Sequence, residues 1–135
     1  MKIPLIEVTQ PIGTFYLSAL PAAVLAKVCQ AIPRGYDPSK QDSTGGVQRS
    51  LSERRVKEIA AYTEDPDATF PTPIIVAIST DLSYKLEGGS FEFDEFAIIG
   101  EIIDGQHRIA GLKRSMKISD FTLPVIFMFN LTLLF

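Results

Sequence analysis

The run Ile74-Ile75-Val76-Ala77-Ile78-Ser79 constrains this chain most, because five apolar residues and a serine in succession leave no polar side to turn towards water. Pro66, Pro71 and Pro73 stop any helix before it, and its length suits a strand. It predicts a central strand buried on both faces, and therefore a sheet with helices laid against it.

The remaining segments fit that frame. Residues 3–8 and 13–17 are β-branched and aromatic runs bounded by turn residues, which predicts two strands, with Pro4 marking the first as an edge. Residues 84–86 and 90–93 flank Gly88-Gly89, the separation of a hairpin with a type I′ or II′ turn. Further strands are expected at 96–103 and 123–129.

Three helices are expected. One spans 21–32, carries Cys29 and is stopped by Pro33. Ser50-Leu51-Ser52-Glu53 has capping-box spacing and opens a second, whose inner face is Val56, Ile59, Ala60 and Thr63 and whose outer face holds Arg54, Lys57 and Glu58. A third runs from Arg108 to Met116 with Ile109, Leu112 and Met116 as its apolar stripe. The class is α+β.

At 135 residues the chain suits one domain spanning 1–135. Residues 33–47 are rich in Gly, Pro, Asp and Ser with almost no apolar residues and predict a flexible loop beside the fold. The apolar run from Leu123 to Phe135 falls short of the roughly 20 residues a membrane helix needs, and its abrupt end reads as a truncation. A single cysteine allows no internal disulfide, and Met1-Lys2-Ile3-Pro4 has no apolar signal core, so a cytoplasmic location is expected with no membrane partner. Cys29 reads as a small buried hydrophobe.

One histidine and one cysteine cannot assemble a His/Cys zinc site. The net charge of −3 argues against binding DNA by phosphate neutralisation alone. Charge is nevertheless segregated. From Asp81 to Asp104 there are seven acids and one lysine, whereas Arg49, Arg54, Arg55 and Lys57 precede this stretch and Arg108, Lys113, Arg114 and Lys117 follow it. Were the two basic segments to meet, they would form an anion site on an acidic protein.

The chemistry concentrates at Asp104-Gly105-Gln106-His107-Arg108, where a strand is expected to end and a helix to begin. The first N–H groups of a helix lack internal partners and sit at the positive end of its dipole, so they attract anions. Gly105 permits close backbone approach, while His107 and Arg108 offer donors suited to phosphate. Gln48 and Arg49, just ahead of the second helix, are candidates to complete the site, with Arg49 expected near Arg108. Asp104 is a candidate to orient Arg108 or His107, or to hold Mg²⁺ beside a triphosphate. The same turn also reads as an ordinary helix cap with a solvated first turn.

The string from Asp104 to Leu112 resembles the signature of DGQHR-domain proteins, a group that includes the DndB-type proteins of bacterial DNA phosphorothioation. The likeness extends to Gln48-Arg49-Ser50-Leu51, Arg55-Val56-Lys57-Glu58-Ile59-Ala60-Ala61-Tyr62 and Phe70-Pro71-Thr72-Pro73-Ile74. It implies a ParB- and sulfiredoxin-like mixed sheet with flanking helices, in which Gly105, His107 and Arg108 touch nucleotide phosphate. Gln106 stands where sulfiredoxins carry a nucleophilic cysteine, so sulfinic-acid repair is not implied. No helix-turn-helix follows the motif.

The resemblance thus implies a nucleoside triphosphate with Mg²⁺ as ligand, a weak NTPase as the enzymatic reading, and a role in bacterial DNA modification or phage defence. The alternative is a non-catalytic regulator or assembly factor that grips DNA, or other proteins of such a system, through the same anion site.

Overall fold

The computed structural model describes residues 1–31, 51–78 and 85–129. They form a mixed α+β fold, as expected. In chain order the elements are β1 (Lys2–Pro4), β2 (Ile6–Gln10), β3 (Gly13–Pro21), α1 (Ala22–Val28), β4 (Cys29–Ala31), α2 (Glu53–Tyr62), β5 (Ile74–Ile78), β6 (Lys85–Glu87), β7 (Ser90–Glu92), β8 (Gly100–Asp104), α3 (Gln106–Lys113), a 3-10 turn (Ile118–Asp120) and β9 (Thr122–Phe129). A six-stranded sheet has the order β2-β3-β9-β5-β8-β4, and a three-stranded sheet the order β1-β7-β6. In the larger sheet β9–β5 and β8–β4 are parallel and the other pairs antiparallel.

The registers sort the large sheet into two faces. Leu20, Leu123, Val125, Phe127, Ile74, Val76, Ile78 and Ile102 share one face, and all are buried. They join one core with Leu25 and Val28 of α1, Ile109 and Leu112 of α3, Phe91 of the small sheet and Phe93 just after it. The opposite face carries Phe15, Leu17, Ile126, Met128, Ile75 and Ala77, each half-buried. β5 is therefore central, but only one of its faces is fully enclosed among the described residues.

Several boundaries differ from expectation. The first strand is two: β1 pairs with β7, the chain turns at Leu5, whose N–H donates to the Gly89 carbonyl at 2.8 Å, and β2 pairs with β3. Pro4 does lie on an outer strand. The hairpin forms as expected, with Gly88 and Gly89 at φ of 50° and 80°, values a type I′ turn requires.

Helix α1 ends at Val28, and Cys29 begins β4, paired with Gly100 of β8. Sheet pairing overrides the helix propensity of that stretch. Cys29 is buried, and burial pushes its thiol up to about 12, so it packs as a small hydrophobe. The strand expected from Phe96 begins only at Gly100. Asp94 accepts the Phe96 N–H at 2.9 Å, holding residues 94–97 in a turn that leaves Phe96 exposed with the Lys27 ammonium 5.0 Å from its ring centre.

The α2 cap is Ser52, whose Oγ accepts the Arg55 N–H at 3.3 Å, so the capping pair lies two residues later than the expected Ser50-to-Glu53 box. Val56 and Thr63 are buried and Ile59 and Ala60 half-buried, as the periodicity requires. Helix α3 ends at Lys113, which leaves Met116 outside it and 91% exposed. The apolar stripe of α3 is Ile109 and Leu112 alone. The expected loop at 33–47, Tyr84, and the end of the chain beyond Phe129 lie outside the described residues.

Candidate anion site

Strand β8 ends at Asp104 and α3 begins at Gln106, so the turn sits at the expected junction. Gly105 is the N-cap at φ 107°, a conformation that favours glycine, and an added Cβ would stand 2.5 Å from Ile74 Cδ1. The first helical bond runs from Ile109 N–H to Gly105 carbonyl at 3.1 Å. The N–H groups of Gln106, His107 and Arg108 precede it and make no bond inside the helix.

The side chains of the turn mostly reach inward. Gln106 Nε2 donates to the Ile102 and Ile103 carbonyls at 3.1 and 3.2 Å, satisfying the end of β8. His107 Nε2 accepts the Ser52 backbone N–H at 3.0 Å. A ring nitrogen can accept only when unprotonated, so this imidazole is neutral with its proton on Nδ1. Burial, and then the charge of Arg55, lower the His107 pKa below its ordinary value.

Arg108 Nη1 donates to the Thr72 carbonyl and, at 2.9 Å, to Thr72 Oγ1, while Nη2 reaches the Pro73 carbonyl at 3.3 Å. The sequence offered this guanidinium as a donor facing a ligand phosphate. Instead it is half-buried and clamps the segment leading into β5. Burial lowers its pKa, partly opposed by the charge of Asp104, which is itself exposed. Phe70 anchors that segment through edge contacts with Tyr62 and Phe121.

Helices α2 and α3 are locked together at several points. Gly111 lies against Ile59 and the Val56 carbonyl, leaving no room for a Cβ. Arg114 grips Glu53 with two bonds of 2.6 and 3.0 Å, which holds the Glu53 carboxyl below its usual range. With Glu53 engaged by Arg114, and with the His107–Ser52 bond drawing the helix starts together, the N-termini of α2 and α3 converge beside Arg55. Open N–H groups, a neutral imidazole and a guanidinium form a chemistry that suits an oxyanion.

Gln48 and Arg49 lie outside the described residues, and so does the expected proximity of Arg49 to Arg108. Reading from the sequence missed Ser52, Thr72 and Pro73 as partners of the turn. Thr72 had a signal: the residue before a proline is disfavoured from the helical region, and here it lies off any strand ladder, which leaves its carbonyl available. Among the described residues no group of three or more His, Cys, Asp or Glu side chains is placed to hold a metal, and no helix is long and apolar enough to cross a membrane.

Neither the curated proteins nor the solved structures give a match to this chain. A family model described as DndB, DNA-sulfur modification-associated, matches residues 3–133, a span that contains α1, α2, α3, the turn and every described strand residue except Lys2. The chain therefore belongs to the DndB family, associated with DNA-sulfur modification.

Proposed function

We propose that this domain serves a DNA-sulfur modification system by holding the phosphates of a nucleoside triphosphate where the N-termini of α2 and α3 meet. The observation that carries the reading is the His107–Ser52 bond, because it sets two positive helix ends side by side next to Arg55. The likeness of the turn to the phosphate-holding turns of ParB-like and sulfiredoxin-like proteins supports the same reading. In it, Gly105 lets the phosphate approach the backbone, the N–H groups of residues 106–108 and the His107 Nδ1–H donate to it, and Arg55 supplies charge. Gln106 and Arg108 act as positioning residues that fix the turn, since Gln106 Nε2 and both Nη atoms of Arg108 donate to backbone carbonyls.

Mg²⁺ would be carried by the triphosphate itself, with Asp104 as the one carboxylate of the turn. Hydrolysis in this reading rests on positioning and charge, because the turn offers no nucleophile. A thermal-shift screen of ATP, CTP, GTP and UTP with Mg²⁺ tests the proposal, since a ligand selective for the folded state raises the midpoint. At least one triphosphate is expected to raise it, with little loss on adding salt. No shift at millimolar concentration overturns the reading, and a shift with duplex DNA alone that collapses steeply with salt replaces it by backbone-phosphate binding.

A further inference from the structure

An acid stands at each of the two helix starts that meet beside Arg55. Asp104 immediately precedes the cap of α3, where its charge bears on Arg108, and Glu53 is the first residue of α2. The first bond of α2 runs from the Val56 N–H to the Ser52 carbonyl at 3.0 Å, and Ser52 Oγ accepts the Arg55 N–H. The N–H groups of Glu53 and Arg54 therefore have no partner inside the helix. A carboxylate in the first turn stabilises a helix because it sits at the positive end of the dipole. For the same reason it competes with any other anion brought to that end.

Arg114 offsets this carboxylate from the far end of α3. It is the C-cap of that helix, opposite the end that carries His107, and its fork takes both oxygens of Glu53, at 2.6 and 3.0 Å. The bond holds the Glu53 carboxyl ionised, so near neutral pH its charge is offset by a counter-charge and not by a proton. Lys57, one turn further along α2, adds to the offset. As a brace the pair is weak, because its side chains are 46% exposed for Arg114 and 61% for Glu53, and exposed ion pairs contribute little to stability. The helices are held elsewhere, by Gly111 packed on Ile59 and by the 2.6 Å hydrogen bond between Thr63 and Ser115.

We propose that Arg114 is a positioning residue for the phosphate: by neutralising Glu53 it leaves the open N–H groups of α2 and the charge of Arg55 to the ligand. This role rests on the triphosphate reading above. Breaking the Arg114–Glu53 bond from its two sides then has opposite effects on binding.

Calorimetric titration at low ionic strength tests the role, using whichever of ATP, CTP, GTP and UTP binds the wild type most tightly with Mg²⁺. Arg114→Gln uncovers the Glu53 charge and is expected to weaken binding by about fivefold, the effect of one charge a few ångströms away in water. Glu53→Gln removes an acid and frees Arg114, and is expected to tighten binding. The double variant is expected to return close to wild type, and all the differences to shrink at high salt. Equal weakening by both single variants, which the loss of a mechanical lock would produce, or no change in either, overturns the role of Arg114 and leaves the phosphate site standing. No binding by the wild type overturns the site itself, and the role with it. Should Arg114→Gln fail to fold, Glu53→Gln decides, and anything but a gain in affinity contradicts the proposal.

Discussion

The Nε2 atom of His107 accepts the backbone N–H of Ser52 at 3.0 Å and so joins the first turn of α3 to the N-cap of α2 across 55 residues of chain. Protonation destroys that acceptor, which makes the joint sensitive to pH. The folded-state pKa of His107 lies below its unfolded value of 6.5, so its contribution to stability is fully present above that pH and is lost as pH falls through the folded value. Urea midpoints are expected to fall between pH 7.5 and 5.5, and the part of the fall owed to His107 is expected to vanish in His107→Gln. The chain has no other histidine, so equal pH profiles for the two proteins would show that this contact does not couple stability to pH.

Arg108→Ala is expected to destabilise the fold rather than leave it intact, because the guanidinium satisfies the Thr72 and Pro73 carbonyls. Hydrogen bonds from a charged group are worth about 1.5–3 kcal/mol, and the half-exposure of Arg108 places the cost at the lower end. Arg108→Lys is expected to restore little of it, since a single ammonium does not reproduce the planar fork. Denaturant unfolding of both variants checks this; wild-type stability in Arg108→Ala would mean the clamp is unimportant.

Gly105→Ala combines a disfavoured φ with a Cβ placed against Ile74. Backbone strain of this kind costs roughly 1–3 kcal/mol, before any displacement of Ile74. The expected readout is a lower unfolding midpoint together with weakened triphosphate binding, because the turn must open to relieve the contact. An unchanged midpoint would show that the turn relaxes freely.

Ile109→Ala and Met116→Ala separate the core from the surface of the same region. Ile109 is 4% exposed and faces the main core, so its truncation is expected to cost about 2–5 kcal/mol. Met116 is 91% exposed, and its truncation is expected to stay within about 0.5 kcal/mol. Comparable losses for the two would contradict the end of α3 at Lys113.

The contrast between these two residues shows where the sequence was readable. Local patterns with strong conformational demands were: Gly88-Gly89 in the hairpin, the apolar run of β5, and the glycine that ends β8 and starts α3. Met116 follows Ile109 and Leu112 at helical spacing, yet helix length is settled by packing that spacing does not report. Cys29 lies in a stretch of good helix formers and becomes a strand because β8 offers it a parallel partner. The site was half legible in the same sense. Asp104 to Arg108 announced themselves as polar residues at a strand-to-helix turn, but the direction of each side chain depends on acceptors 35 or more residues away for Arg108 and on a cap 55 residues away for His107. That only one face of β5 is fully enclosed among the described residues was hidden, because a run such as Ile74 to Ile78 looks alike in either case.

Calorimetric titration of the chain with a nucleoside triphosphate and Mg²⁺, beside its Arg55→Gln variant, shows whether the meeting point of α2 and α3 holds phosphate. Arg55 is exposed, so the substitution leaves the fold in place while removing the charge next to His107. The expected result is one triphosphate bound per chain, with affinity in Arg55→Gln reduced by about tenfold, the equivalent of roughly 1.4 kcal/mol. Binding of equal strength in the variant, or no binding by either protein, would contradict the assignment of a phosphate to the meeting point of α2 and α3.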